Sequence, residues 1–220
     1  MQLQEKIVRI IQLLKEATKD MPPTLTTSLI REYGRDPFII LISCLLSLRA
    51  KDTATYPVSK KLFERVRTPE ELLKMPVREL EELLYPLGFY RKKAQTVRSV
   101  CQELITRFKG KVPQTEEELL SLKGVGRKTA QLVLGSAFKV PTICVDTHVH
   151  RIANRLGWIQ TTHPDETERE LKRLIPQEYW LDINTYLVMW GQNICVPISP
   201  KCSQCVLSPL CPKIGVGKRR

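Results

Sequence analysis

The chain has 220 residues, 42% of them hydrophobic, and carries 35 lysines and arginines against 23 aspartates and glutamates, a formal net charge of +12. That length buries one substantial core or two small lobes, and the longest apolar run, Phe38 to Leu48, is broken by Ser43 and Ser47 and too short for a membrane span. The basic excess favours a polyanionic partner, because cationic side chains neutralise phosphates and release counterions.

In chain order, the first twenty residues hold glutamines and charges where an export signal needs an apolar core, so the expected compartment is the cytoplasm. Within them Leu3, Ile7, Ile10, Ile11 and Leu14 make one stripe at helical spacing. Asp36-Pro37 reads as an N-cap followed by proline at the first helical position, opening an apolar helix over 37–48. Capping-box patterns stand at Thr68-Pro69-Glu70-Glu71 and Thr115-Glu116-Glu117-Glu118. Further helices are predicted near 53–65, 77–84, 91–108, 127–137, 147–155, 165–175 and 179–191. Val140 to Val145 has some β propensity, but Pro141 interrupts it and it stands alone. The basic tail, Lys213 to Arg220, is expected to be loosely ordered. The predicted fold is all-α with short loops and no dividing linker.

Seven cysteines in a chain without an export signal argue against a disulfide framework. Cys44, Cys101 and Cys144 lie in apolar segments and read as core thiols. The other four, Cys195, Cys202, Cys205 and Cys211, follow the pattern C-x6-C-x2-C-x5-C in one irregular stretch. Four thiolates from a single loop can hold a tetrahedral metal or an iron–sulfur cluster. Zinc sites usually show two close cysteine pairs, whereas only Cys202 and Cys205 are close here, which suits the larger cluster. The loop lacks helical periodicity and is expected to need its cofactor for order.

Upstream lies Leu122-Lys123-Gly124-Val125-Gly126-Arg127-Lys128-Thr129-Ala130, a glycine hairpin between two predicted helices. Glycines allow a tight turn and a close backbone approach, and N–H groups at a helix start suit a phosphate oxygen. An ordinary helix–turn–helix corner is the alternative; Arg127, Lys128 and the overall charge favour phosphate. A cation in the first helical turn opposes the helix dipole, an unhelpful place for a structural lysine and a useful one for a nucleophilic amine, which must be neutral to attack. Eighteen residues on, Asp146 precedes another predicted helix. It reads as an N-cap, and a rigid ionised carboxylate beside a sugar can also stabilise oxocarbenium-like charge or take a proton. His148, His150 and His163 show no metal-ligand pattern.

On LKGVGRKTA at 122–130, VDTHVHRIANRLG at 145–157 and the four-cysteine pattern, with weaker support from LGFYRKKA at 87–94, the chain resembles the endonuclease III family of helix-hairpin-helix DNA glycosylases. The resemblance covers nearly the whole chain, with the motifs in family order. It implies a two-lobed all-α fold, a six-helix barrel over 30–140 and a cluster-bearing lobe from 1–29 with 141–220, holding a 4Fe–4S cluster on the loop 195–211. It implies that Lys128 is the Schiff-base lysine and Asp146 the catalytic aspartate, set across a cleft that takes a flipped nucleotide. The partner would be double-stranded DNA carrying oxidised pyrimidines of the thymine glycol type or abasic sites, bound by a nucleoid-associated monomer with no membrane attachment. Gly124, Val125, Gly126 and Arg127 would contact DNA. Arg49 stands where the family has a glutamine that fills the gap left by the flipped nucleotide, and Phe89 where it has a leucine wedge; a guanidinium and a phenyl ring can each serve, but the choice of lesion and opposite base is open. The adenine-mismatch and thymine-mismatch branches generally lack a lysine at position 128, and the adenine branch adds a C-terminal domain, whereas this chain ends nine residues after Cys211. Two alternatives stay in view: a mismatch or uracil glycosylase that does not cut the strand, and a non-catalytic DNA-binding protein that uses the hairpin as a clamp.

Overall fold

The computed structural model describes residues 2–220. Its helices are α1 (Leu3–Ala17), α2 (Leu25–Tyr33), α3 (Pro37–Ser47), α4 (Asp52–Phe63), α5 (Pro69–Lys74), α6 (Val77–Leu84), α7 (Tyr90–Phe108), α8 (Glu116–Leu120), α9 (Arg127–Phe138), α10 (Thr147–Arg155), α11 (Pro164–Leu174) and α12 (Trp180–Asn193). Short 3-10 turns lie before α12 at Gln177–Tyr179 and after it at Cys202–Gln204. No strand is present among the described residues; 142–145 is a buried connection without regular structure. None of these helices is long and apolar enough to cross a membrane. Contacts divide the chain into two compact units, Leu25–Val140 and Met1–Thr24 with Pro141–Arg220.

The Leu25–Val140 unit is built round α3. This helix has no polar face to show to water, and Phe38 through Leu46 are all buried. Its two serines satisfy themselves locally: the Ser43 hydroxyl donates to Ile40 O and the Ser47 hydroxyl to Cys44 O, both at 2.9 Å. Asp36 caps it by accepting the Ile39 N–H at 3.0 Å, with Pro37 in the first turn. Helices α2, α4, α7 and α9 pack against it. Thr68 and Thr115 cap α5 and α8 as their sequence patterns predict. The reciprocal glutamates differ, however: Glu71 accepts the Arg67 N–H, and Glu118 accepts the Thr115 hydroxyl. Helix α7 ends with Lys109 and Gly110 at positive φ, where the Gly110 N–H closes back on Leu104 O at 2.9 Å.

In the second unit, Ile7, Ile10, Ile11 and Leu14 of α1 are buried and α1 packs on α12. Leu3 departs from the sequence reading: it has helical spacing but is 45% exposed, because the buried stripe stops short of the first turn. Helix α10 packs on α12 and α11. Gly191 makes its contact with α10 possible, since a Cβ there would collide with the His148 ring.

The tail is tied down, contrary to the expectation from its charge and glycines. The Ile214 N–H donates to Arg155 O at 3.2 Å, the Arg220 N–H to Pro200 O at 3.0 Å, and the Ser203 N–H to Arg220 O at 3.0 Å. Backbone pairing with the cysteine loop supplies order that no local signal encodes.

Candidate functional site

The hairpin between α8 and α9 is pinned from inside by Leu122 and Val125, which are 1% and 6% exposed. The Val125 N–H turns back to Leu122 O at 3.0 Å. With Val125 pointing into the core, it presents no side chain outward, while Lys123, Gly124, Gly126, Arg127 and Lys128 are exposed. Gly124 has φ of 92°, and a Cβ there would lie 2.7 Å from Thr96 Cγ2 of α7, so both conformation and space demand glycine. Gly126 is the N-cap of α9 and offers no side-chain oxygen to the first turn. Lys128, the second residue of α9, therefore stands in the first turn of a helix whose N-terminus has no side-chain cap. Arg127 pairs with Glu116 at 3.7 Å, both partly exposed.

Beneath this surface lies Cys44 of α3. Burial pushes its thiol up to about 12; the Lys128 charge opposes that shift and the Asp52 charge adds to it. Asp52 also accepts the Leu25 N–H at 3.1 Å.

Arg49, between α3 and α4, and Phe89, the residue before α7, occupy the left-handed region, with φ of 56° and 59°. Both are exposed, Phe89 to 66%. Non-glycine residues seldom adopt that conformation, and here it sets the two side chains on loop tips. Beside Phe89, Tyr85 and Tyr90 meet edge to face at 5.3 Å.

Asp146 belongs to the other unit, where it is half-buried at the start of α10. Its Oδ1 accepts the His148 N–H at 2.9 Å and the Val149 N–H at 3.0 Å, so the carboxylate is held in one orientation by the helix it caps. The histidines have structural partners. His148 Nδ1 lies 3.1 Å from an Arg151 Nη, His150 Nδ1 lies 2.7 Å from the Thr167 hydroxyl, and His163 caps α11.

The four C-terminal cysteines line one partly open cavity, together with Arg155 and Lys213. Among the described residues no group of three or more His, Cys, Asp or Glu side chains is disposed to hold a metal ion. The donor set is nonetheless suited to a thiophilic group. Burial pushes the Cys205 and Cys211 thiols up, and charge on neighbouring cysteines adds to it. Counter-donors approach the sulfurs: Arg155 Nη1 is 3.4 Å from Cys195 Sγ, and the Lys213 N–H is 3.3 Å from Cys211 Sγ. Arg155 also donates to Val196 O at 2.8 Å and Pro197 O at 2.7 Å. Arg151 donates to Cys195 O at 2.9 Å. Neither arginine stands out in the sequence, although their i, i+4 spacing puts both guanidinium groups on one face of α10.

A sequence profile describing HhH-GPD superfamily base excision DNA repair proteins matches residues 42–177. Among similar proteins is endonuclease III of Thermotoga maritima, 49% identical over 80% of this chain and 83% of its own. Among solved structures, a trapped endonuclease III–DNA covalent intermediate superposes with a TM-score of 0.84 at 36% identity, covering 97% of each chain. A thermostable thymine-DNA glycosylase does so with 0.81 at 26% identity, covering 96% of each. The chain belongs to the HhH-GPD superfamily and, within it, to the endonuclease III family.

Proposed function

We propose that this chain is a bifunctional DNA glycosylase and abasic-site lyase of base excision repair, acting as a monomer on double-stranded DNA that carries oxidised pyrimidines of the thymine glycol type or abasic sites. The observation that carries the reading is Lys128, an exposed amine in the first turn of the helix leaving a glycine hairpin. It is supported by membership of a family whose solved relatives include a covalent complex with DNA.

The hairpin grips backbone phosphate without reading sequence, and Arg49 and Phe89 fill the space left by the extruded nucleotide. The Lys128 amine, in its neutral form, attacks C1′ of the deoxyribose, with the Asp146 carboxylate as the general base of the reaction. The bond from C1′ to the base breaks, and the base leaves with its electron pair and takes up a proton. Opening of the sugar gives an imine between Lys128 Nζ and C1′. This acidifies the 2′ hydrogen; its removal forms a double bond between C2′ and C3′ and expels the 3′ phosphate oxygen, cutting the strand. Hydrolysis of the imine restores the lysine. Enzymes of this type work where DNA is, so we place it with the nucleoid.

Cys195, Cys202, Cys205 and Cys211 would hold a 4Fe–4S cluster. When bound, it supplies iron to the four thiolates, two of which, Cys205 and Cys211, burial otherwise pushes toward the protonated form, and it cross-links the loop.

Sodium borohydride reduces an imine to a stable amine, so it reports on the central step directly. A duplex with a single thymine glycol should be trapped covalently by the unmodified protein and not by Lys128→Gln. Absence of an adduct, or an undiminished adduct in Lys128→Gln, rules the lyase out. The likeness to a thymine-DNA glycosylase makes a hydrolytic glycosylase the second reading; base release with no strand scission until alkali is added would select it.

A further inference from the structure

The hairpin is braced by a pair of charged residues on α7 that the mechanism above does not use. Glu103 Oε1 accepts the Lys123 N–H at 3.1 Å, twenty residues away in sequence, and its Oε2 accepts from Arg107 Nη1 at 2.8 Å. Arg107 continues the chain of contacts, donating to Ser121 O at 3.3 Å and to the Ser121 hydroxyl at 2.7 Å. The Ser121 hydroxyl in turn donates to Glu118 O at 2.6 Å. On the same helix, Thr96 sits where any Cβ at position 124 would have to go. Helix α7 thus holds the hairpin at its entry, through Ser121 and Lys123, and at its first glycine.

We propose that Glu103 and Arg107 are positioning residues for DNA binding. They lock the strand of backbone that enters the hairpin, so that the N–H groups from Gly124 onward meet phosphate without first having to be ordered. The proposal rests on the reading that this hairpin grips DNA. Its physical basis is preorganisation: a loop fixed before binding does not lose that freedom on binding. Glu103 is only 23% exposed along its side chain, and a charge-assisted bond there is stronger than a fully solvated one.

The sign of the effect separates this from plain electrostatics. A carboxylate near a phosphate-binding surface repels DNA, so its removal should tighten binding if charge were its only role. A brace requires the opposite. The experiment compares the unmodified protein with Glu103→Gln, Glu103→Ala and Arg107→Lys. It measures the dissociation constant for a duplex with a reduced, uncleavable abasic analogue, and separately the borohydride trapping rate at saturating duplex. We expect Glu103→Ala to weaken binding by about tenfold and Glu103→Gln by less, because an amide oxygen still accepts the Lys123 N–H while its contact with Arg107 is lost. Arg107→Lys should weaken binding as well, and trapping at saturation should stay within about twofold for all three. Binding that is unchanged or tighter, or a trapping rate at saturation that falls in step with affinity, overturns the proposal. Failure of the unmodified protein to trap would instead strike the lyase reading, which keeps the two outcomes apart.

Discussion

Asp146 combines a helix cap with the proposed proton-handling role, and the two can be separated. Asparagine caps as well as aspartate does, because its amide oxygen can accept the same His148 and Val149 N–H groups, but it cannot take a proton at neutral pH. Asp146→Asn should therefore leave urea stability within about 0.5 kcal/mol while abolishing most trapping; Asp146→Ala should lose trapping and cost about 1 kcal/mol besides. Equal destabilisation by both substitutions would show that the cap is not what the carboxylate provides. A second prediction concerns core thiols. Burial pushes Cys101, like Cys44, up to about 12 from 9.0. An acid whose folded value is raised is held protonated by the fold. That contribution is complete below pH 9 and is lost as pH climbs from there through about 12. Urea midpoints should fall over this alkaline range, and Cys101→Val should flatten the fall. An identical pH profile in the variant would assign the loss to other groups.

The elements owe their ends to local chemistry and their placement to packing. Asp36, Thr68, Thr115 and Asp146 each hold a helix start with a side-chain oxygen, and for all four the signal is visible as a residue type before an apolar or acidic run. Helix α2 lacks such a signal and is not predicted from the sequence; Leu25 and Leu29 form it by packing into the core, with Asp52 of α4 accepting its first N–H. Close approach of α10 and α12 depends on Gly191. Gly191→Ala forces the His148 ring aside and disturbs the Arg151 contacts with His148 and Gly191 O. We expect a loss of about 2 kcal/mol, measured as a shift in urea midpoint, with iron content as an independent readout of the neighbouring cysteine loop. A stability change under about 0.5 kcal/mol would mean that the two helices part without cost.

For the molecule as a whole, a net charge of +12 and a cysteine-lined cavity are the two features that composition and fold share with function. The charge predicts affinity for DNA that falls steeply with salt. The proposed cluster predicts a brown protein with broad visible absorbance and iron rather than zinc. Cys205→Ser should purify with less iron, weaker absorbance and a lower melting temperature, because a hydroxyl is a poor iron ligand beside three thiolates. A colourless parent protein with one bound zinc would contradict the cluster.

The starts of α3, α5, α8 and α10, the apolar interior of α3 and the hairpin, aspartate and cysteine motifs were legible in residue order. Each depends on neighbours within a few positions, where sequence spacing is also spatial spacing. The exposure of Leu3, the anchoring of the tail by the cysteine loop, the reach of Arg155 to Cys195 and the brace from Glu103 to Lys123 were not. The last two contacts join residues 40 and 20 positions apart and depend on which helix faces meet. A helix's pattern of apolar residues says that a face will be covered; only the packed chain says by what, and which polar groups are brought along to the boundary.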